Sequence, residues 1–440
     1  MSNIGQNAGQ AKEIILNGAL NPLRPFLPTA LIEQWCREAN HSWRKRVFGP
    51  VVTLVACVWK QLQAQASARA VEDWVATFIV PDSSRDGHDF CAARARLHLM
   101  VFERAVAHVS QQANQKAALL YHGFCVWLVD GTTMRAPRTD ANKDAFGAST
   151  NILPLVRAVW LICAGSATVW QAAIGSYHDG EARLFLQLLK NLPLAGLVMG
   201  DSTFASYLSF WLAQQRQCHA LCHHKSYRRD NRIRKLGYRD ELHRWSKPKS
   251  WQTAFLPLLA PAPQTLDVRI ISRAIRRCGY RTWTLTICTT LLNPKKYPAN
   301  ELIQLYLRRW NIELDIRAVK VSLELRQLTA KSPDIVYKEI LSTLLAYNLV
   351  RVIMAQTELP VRSLSFERSR HLILVFSERM AEAPTPRLPQ LYRDLLKLIS
   401  QAVLPWQKRP PEPRCVIRHN TRYPLLRIPR QQWQVKYHAA

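Results

Sequence analysis

The sequence predicts an α/β protein in which a helical N-terminal domain precedes an α/β core, and a β-rich insertion splits that core. Three observations carry the prediction. Apolar side chains recur at helical spacing through residues 28 to 118. Short apolar runs then alternate with amphipathic stretches through residues 119 to 224, as strands alternate with helices. Residues 225 to 292 alternate in the strand manner, and helical spacing returns near Asn300.

In the first region, Gly49-Pro50, Pro81-Asp82 and Asp86-Gly87 interrupt the helical pattern, because proline and glycine end helices. The run VFGPVVTLVACVW (47 to 59) is too short to cross about 30 Å of hydrocarbon and suits a buried core helix. Arg44, Lys45, Arg46, Arg94 and Arg96 flank these helices. That placement fits a small helical DNA-binding unit, and equally a helical cap that only packs.

Within the core, FCVWLVDGTTMRAP (124 to 137) is an apolar run ending at Asp130 and a turn. Gly165 and Ser166 divide AVWLICAGSATVWQAAIG into two strand-like halves, so a hairpin and not a membrane span is expected. GEARLFLQLLKNL places Leu184, Leu188 and Leu192 at helical spacing, and Glu181 complements the helix N-terminal dipole. AGLVMGDSTFASYLSFWLAQQRQ is a buried strand ending at Gly200-Asp201 and then a helix; CHALCHHK closes the series as a strand. Asp130 and Asp201 therefore both sit at strand ends. On an extended strand Cys218, Ala220, Cys222 and His224 share one face, and a zinc site there lacks a partner segment.

The inserted segment 225 to 249 holds ten Lys or Arg against three acids, with Tyr227, Tyr238 and Trp245 among them. Stacking surfaces interleaved with charge favour nucleic-acid contact over a merely solvated face. The chain as a whole has 440 residues and 60 Lys plus Arg against 31 Asp plus Glu, a net charge of +29. A polyanionic partner is the expectation, since each cation that neutralises a phosphate releases a condensed counterion. The polar, mixed opening MSNIGQNAGQAKEIILNG is unlike a signal peptide, and ten scattered cysteines show no disulfide framework. Both point to a cytoplasmic protein.

The chemistry centres on YLRRWNIELDIRAVK (306 to 320). On one helix Tyr306, Arg309, Glu313 and Lys320 fall within an arc of about 60°, beside an apolar stripe of Leu305, Ile312, Ile316 and Val319. Arg309 and Glu313 alone would be an ordinary i, i+4 ion pair. Two aspartates at strand ends change that weighing, because open α/β sheets put reactive residues beyond the carboxyl ends of their strands. Three carboxylates, Asp130, Asp201 and Glu313, suit two hard cations, Mg²⁺ or Mn²⁺, for in-line displacement at phosphorus. Asp140, Asp240 and Asp315 are expected at the surface.

The spacing Y-(2)-R-(3)-E-(6)-K resembles the YREK signature of cut-and-paste DDE transposases of bacterial insertion sequences of the insertion-sequence-four type. DGTTMRAP resembles the family's first-aspartate segment, and HDGEARL with LVMGDSTFASY the second. FCAARARLHL resembles a motif of the helical N-terminal region and EPRCVIRHNTRYPLL the basic tail, so the likeness spans about residues 40 to 430. The resemblance implies an RNase H-like core, with Asp130, Asp201 and Glu313 as metal-binding catalytic triad and Tyr306, Arg309 and Lys320 contacting DNA near the cut end. It also implies that an insertion tryptophan stacks on a flipped base; Trp283 is in the comparable strand, with Trp245 and Trp251 as competitors. The second motif lacks the arginine that many relatives carry after the aspartate, and CHALCHHK lacks another.

The expected organisation is a helical DNA-binding region (1–118), the core's first part (119–224), the insertion (225–292), the core's second part with the YREK helix (293–358) and a basic C-terminal region (359–440). The expected partners are double-stranded DNA of transposon ends and target, with a homodimer in the DNA complex and no membrane. Two alternatives stay open: a nuclease of the same fold that cuts without joining, and a DNA-binding descendant that no longer catalyses.

Overall fold

The computed structural model describes residues 21–44, 46–79, 87–147, 153–225, 231–249, 258, 260–276, 282–405 and 428–438. Trp251, Tyr227, Lys45, the AFLPLL segment other than Leu258, and the EPRCVIRHNTRYPLL tail lie outside the described residues.

Among the described residues a 3₁₀ helix (Asn21–Phe26) is followed by α1 (Thr29–Glu38), α2 (Pro50–Leu62), α3 (Ala68–Ile79), α4 (His88–Arg96) and α5 (Leu99–Ala117). Helix α2 is buried along almost its whole length, as its unbroken apolar run requires. The core follows with β1 (Leu120–Tyr121), β2 (Phe124–Arg135), α6 (Asp140–Phe146), β3 (Leu155–Cys163), β4 (Val169–Ser176), α7 (Glu181–Leu189), β5 (Gly196–Gly200), α8 (Tyr207–Gln215) and β6 (His219–His223). The insertion supplies β7 (Asn231–Gly237), β8 (Asp240–Ser246), β9 (Thr265–Ile275) and β10 (Trp283–Thr289). Helices α9 (Ala299–Leu307), α10 (Asn311–Ser322), α11 (Pro333–Met354), α12 (Phe366–Glu382), α13 (Leu388–Ser400) and α14 (Arg430–His438) complete the chain.

One mixed sheet runs β4-β3-β2-β5-β6-β10-β9-β8-β7, with β1 paired to β2 off this path. The β2–β5 and β5–β6 pairs are parallel and the remaining pairs are antiparallel. The first five strands of that path, an antiparallel meander continued by two parallel strands, form the RNase H-like core. The insertion strands extend the same sheet, because β10 pairs with β6 through Ile287 opposite His223 and Thr289 opposite Leu221.

Strand alternation gives the sheet two apolar faces. Val126, Leu128 and Met134 of β2 face one core, together with α2, α5, α10 and α11. Trp127 and Val129 face the other, with α7, α8 and Trp245 of the insertion. Asn348 of the buried α11 clamps the first layer: its side chain accepts from Val169 N at 2.8 Å and donates to Val169 O and Val106 O. Among the described residues no helix is long and apolar enough to cross a membrane.

Several sequence expectations need correction. Asp240 and Asp315 are buried and ion-paired, not at the surface, whereas Asp140 is exposed and pairs with Lys143. Trp245 offers no stacking surface to a ligand: it is 2% exposed and packs on Phe210 at a ring distance of 5.0 Å. The helix expected across residues 306 to 320 is broken by a 3₁₀ turn at Arg308–Trp310. Cys218, Ala220 and Cys222 do share a face, and it packs into the second core.

Candidate active site

The site forms just beyond the parallel pairing of β2 with β5, which ends at Leu128 and Met199, where Lys320 of α10 reaches β2. β2 runs on to Arg135, so Asp130 lies within the strand, and strand stands where a turn was expected after it. Asp130 sits in β2, and its Oδ1 accepts from Gly131 N at 2.8 Å. Asp201 follows the last residue of β5; its Oδ1 accepts from Thr203 N at 2.7 Å, a tight local turn before α8. Ser206 then caps α8 reciprocally with Ser209, which fixes where that turn ends. Glu313 lies in the first turn of α10.

Arg309 links two of the carboxylates. Its guanidinium donates to Glu313 Oε1 at 3.3 Å and stands 3.9 Å from Asp130 Oδ2. Burial pushes the Asp130 carboxyl up to about 6; Gly131 N–H and Arg309 oppose that rise, and the charges of Asp201 and Glu313 add to it. Asp130 thus feels the charge of both other acids.

The other two residues of the signature hold the frame. Tyr306 is buried, its hydroxyl donates to Gly200 O at 3.1 Å, and burial raises its pKa. It thereby pins the end of β5 immediately before Asp201. Lys320 donates through Nζ to Thr132 Oγ1 at 3.0 Å and Thr133 O at 2.9 Å, which fastens α10 to β2. Burial, with help from Arg326, lowers the Lys320 pKa. Leu305, Ile312, Ile316 and Val319 bury the stripe beside these groups. Asp315, on the far side of α10, is held by Arg351 at 3.4 Å and Arg362 at 2.5 Å.

Glu181 is a fourth acid at this end of the sheet, and the sequence reading saw it only as a dipole partner. A β-carbon on Gly131 would lie 2.3 Å from its carboxyl carbon, so glycine is what allows α7 to approach β2 here. Burial raises its pKa, and the charge of Asp201 adds to the rise. The signal was available in the pairing of D-G at 130 and 131 with the acid that opens α7. Trp283 stands at the start of β10, 48% exposed.

The pattern of the family described as Transposase DDE domain matches residues 121–349, from β1 through α11. The chain belongs to the DDE transposase family. The match contains Asp130, Asp201 and Glu313 together with the whole sheet. This transposase is 27% identical over 336 residues to the transposase InsG for insertion sequence element IS4 of Escherichia coli (strain K12), covering 70% of this chain and 73% of the relative. Among solved structures, a piggyBac transposase synaptic complex with hairpin DNA aligns with a TM-score of 0.39 and 10% identity, over 89% of this chain and 87% of that one.

Transposases of this family act on DNA with divalent metal ions. The donor set of this transposase fits such an ion: it is all carboxylate oxygen, its acids repel one another, and a guanidinium already lies between two of them. As placed, no three metal-ligating side chains among the described residues are close enough to share one ion. Arg309 and a cation would therefore compete for the same oxygens.

Proposed function

We propose that this transposase binds the terminal inverted repeats of its insertion sequence, hydrolyses the phosphodiester at each DNA end, and joins the freed 3′ ends to target DNA. The observation that carries the proposal is the electrostatic coupling of Asp130 with Asp201 and Glu313, beside an arginine and a lysine on the same helix segment. Asp130, Asp201 and Glu313 would hold two Mg²⁺ or Mn²⁺ ions. When bound, such ions supply the positive charge that polarises attacking and leaving oxygens in displacement at phosphorus.

The protein's own groups do the rest. Arg309, released from Glu313, would take a phosphate oxygen of the cut strand, and Lys320 holds β2 against α10 and would present its charge to the DNA beside them. Tyr306 orients Asp201 by anchoring Gly200 O. Hydrolysis breaks the P–O3′ bond, leaving a 3′ hydroxyl on the element; that hydroxyl then attacks a target phosphorus and displaces a target 3′ oxygen. Trp283 is offered as the platform for an unpaired base near the end, because it is exposed while Trp245 is buried. The helical region before residue 118 would take the end sequence, and two copies would pair the two ends.

The test is Asp201→Ala in the full chain. End-bearing duplex, supercoiled target and Mg²⁺ are mixed, and nicked and joined products are separated on a gel. The variant should lose cleavage by at least a thousandfold, an effect of about 4 kcal/mol, while still shifting end DNA. Retained cleavage would remove Asp201 from the site, and cleavage by the wild type without joined product would make the enzyme a nuclease.

A further inference from the structure

Apart from the catalytic residues, His41–Arg44, Arg46 and Phe48 line, with residues of α2 and α4, an open cavity of about 390 Å³. Arg44, Arg46 and Arg96 line it together with His41 and Trp43, and no acidic side chain does. The arginines are exposed and have no ion pair among the described residues. Asp334, which lies near, is already bound to Lys338 at 2.6 Å. The positive charge is dense enough that Arg96, His98 and Lys338 each help to lower the His41 pKa, behind burial as the main cause.

The rings give the cavity a second character. Trp43 is 37% exposed and stacks on His41 with ring centroids 6.1 Å apart and planes 16° from parallel. Leu97, almost wholly buried, forms part of an apolar floor. A partly exposed ring pair over an apolar floor, rimmed by three guanidiniums with no ion pair among the described residues, presents a stacking platform and an anion clamp on one cavity. The volume falls within the range of about 300–1,000 Å³ typical of small-molecule sites, and a duplex does not enter such a space.

We propose that this cavity is a second nucleic-acid site, which takes one unpaired nucleotide of the DNA, its base against Trp43 and its phosphate on Arg44, Arg46 and Arg96. None of these residues belongs to the site around Asp130, Asp201 and Glu313. Arg44 and Arg46 of one basic run and Arg96 of another, which the chemistry of the core left unused, thereby meet at one place. The proposal rests on the reading that the chain works on DNA, and deepens it by naming where an unpaired strand is held.

The experiment uses the full chain in EDTA with two fluorescein-labelled probes, a blunt duplex and the same duplex with a three-nucleotide 3′ overhang. The wild type should bind the overhang probe more tightly. Trp43→Ala should weaken that binding roughly ten- to a hundredfold and leave the blunt duplex unchanged, while Trp43→Phe keeps most of the preference. Arg96→Gln should flatten the dependence of log affinity on log salt by about 0.9. With 5-iododeoxyuridine in the overhang, illumination should cross-link the peptide that carries Trp43. Equal loss on both probes, no loss in Trp43→Ala, or a cross-link only at Trp283 would each overturn the proposal. Cleavage of end DNA, measured in parallel with Mg²⁺, reports separately on the catalytic reading.

Discussion

At the scale of the residue, Asp130 is the informative group. Its carboxyl titrates near 6 in the fold and near 3.8 as an ordinary aspartate, so the folded protein holds the proton more tightly than the unfolded chain does. The sign follows from that. Below about pH 4 both states are protonated and the group costs nothing; between pH 4 and 6 the unfolded chain ionises while the folded carboxyl keeps its proton, so the cost grows; above 6 both are ionised and the cost is complete, at about 3 kcal/mol. In EDTA, Asp130→Asn should therefore raise stability at pH 7.5 by up to that amount, and the gain should fade on acidification to pH 4. Urea unfolding at the two pH values measures it. A variant less stable than wild type at pH 7.5 would contradict a net cost of the charge. The strain has a use, because a carboxylate that is uncomfortable without a cation is one that a cation relieves.

At the scale of the element, α10 is held from both sides. One side fastens Lys320 to β2, and the other drives Asp315 into a pocket of Arg351, Arg362 and Tyr347. Breaking a buried pair leaves uncompensated charge, so Asp315→Ala should destabilise the fold by about 3–5 kcal/mol, read by chemical denaturation, even though Asp315 is no part of the chemistry. The helix periodicity and the strand alternation were readable because each depends on residues a few positions apart. The partners of Asp315 and Asp240 were not, because Arg351, Arg362 and Arg269 are far along the chain and only the packed fold brings them near. The same cause hides the break in the YREK helix: the 3₁₀ turn at 308 to 310 leaves the periodic spacing almost untouched. Tyr306 was recognisable as a member of the signature, and its bond to Gly200 O was not.

At the scale of the whole molecule, charge is the dominant fact. A surplus of +29 spread over the sheet extension, the loop 39–49 and the helices makes association with any duplex strongly dependent on salt. If six or more phosphates are engaged, affinity for duplex DNA should fall about a thousandfold or more between 50 and 200 mM salt, which a filter-binding series reads directly; a flat response would show that the surplus does not meet phosphate. The continuity of the sheet has a further consequence. β6 is the single strand between β5, which ends one residue before Asp201, and β10, which begins at Trp283, so the sheet works as a ruler: two strand spacings, roughly 10 Å, across it, and the run of β10 from Cys288, level with Gly200, back to Trp283 along it. The mark on that ruler is set by register and not by the loops. Lengthening the connection after β9 should leave the cut position on DNA unchanged, whereas deleting one residue inside β10 should turn Trp283 to the opposite face and shift or abolish the cut, as mapped on end-labelled DNA.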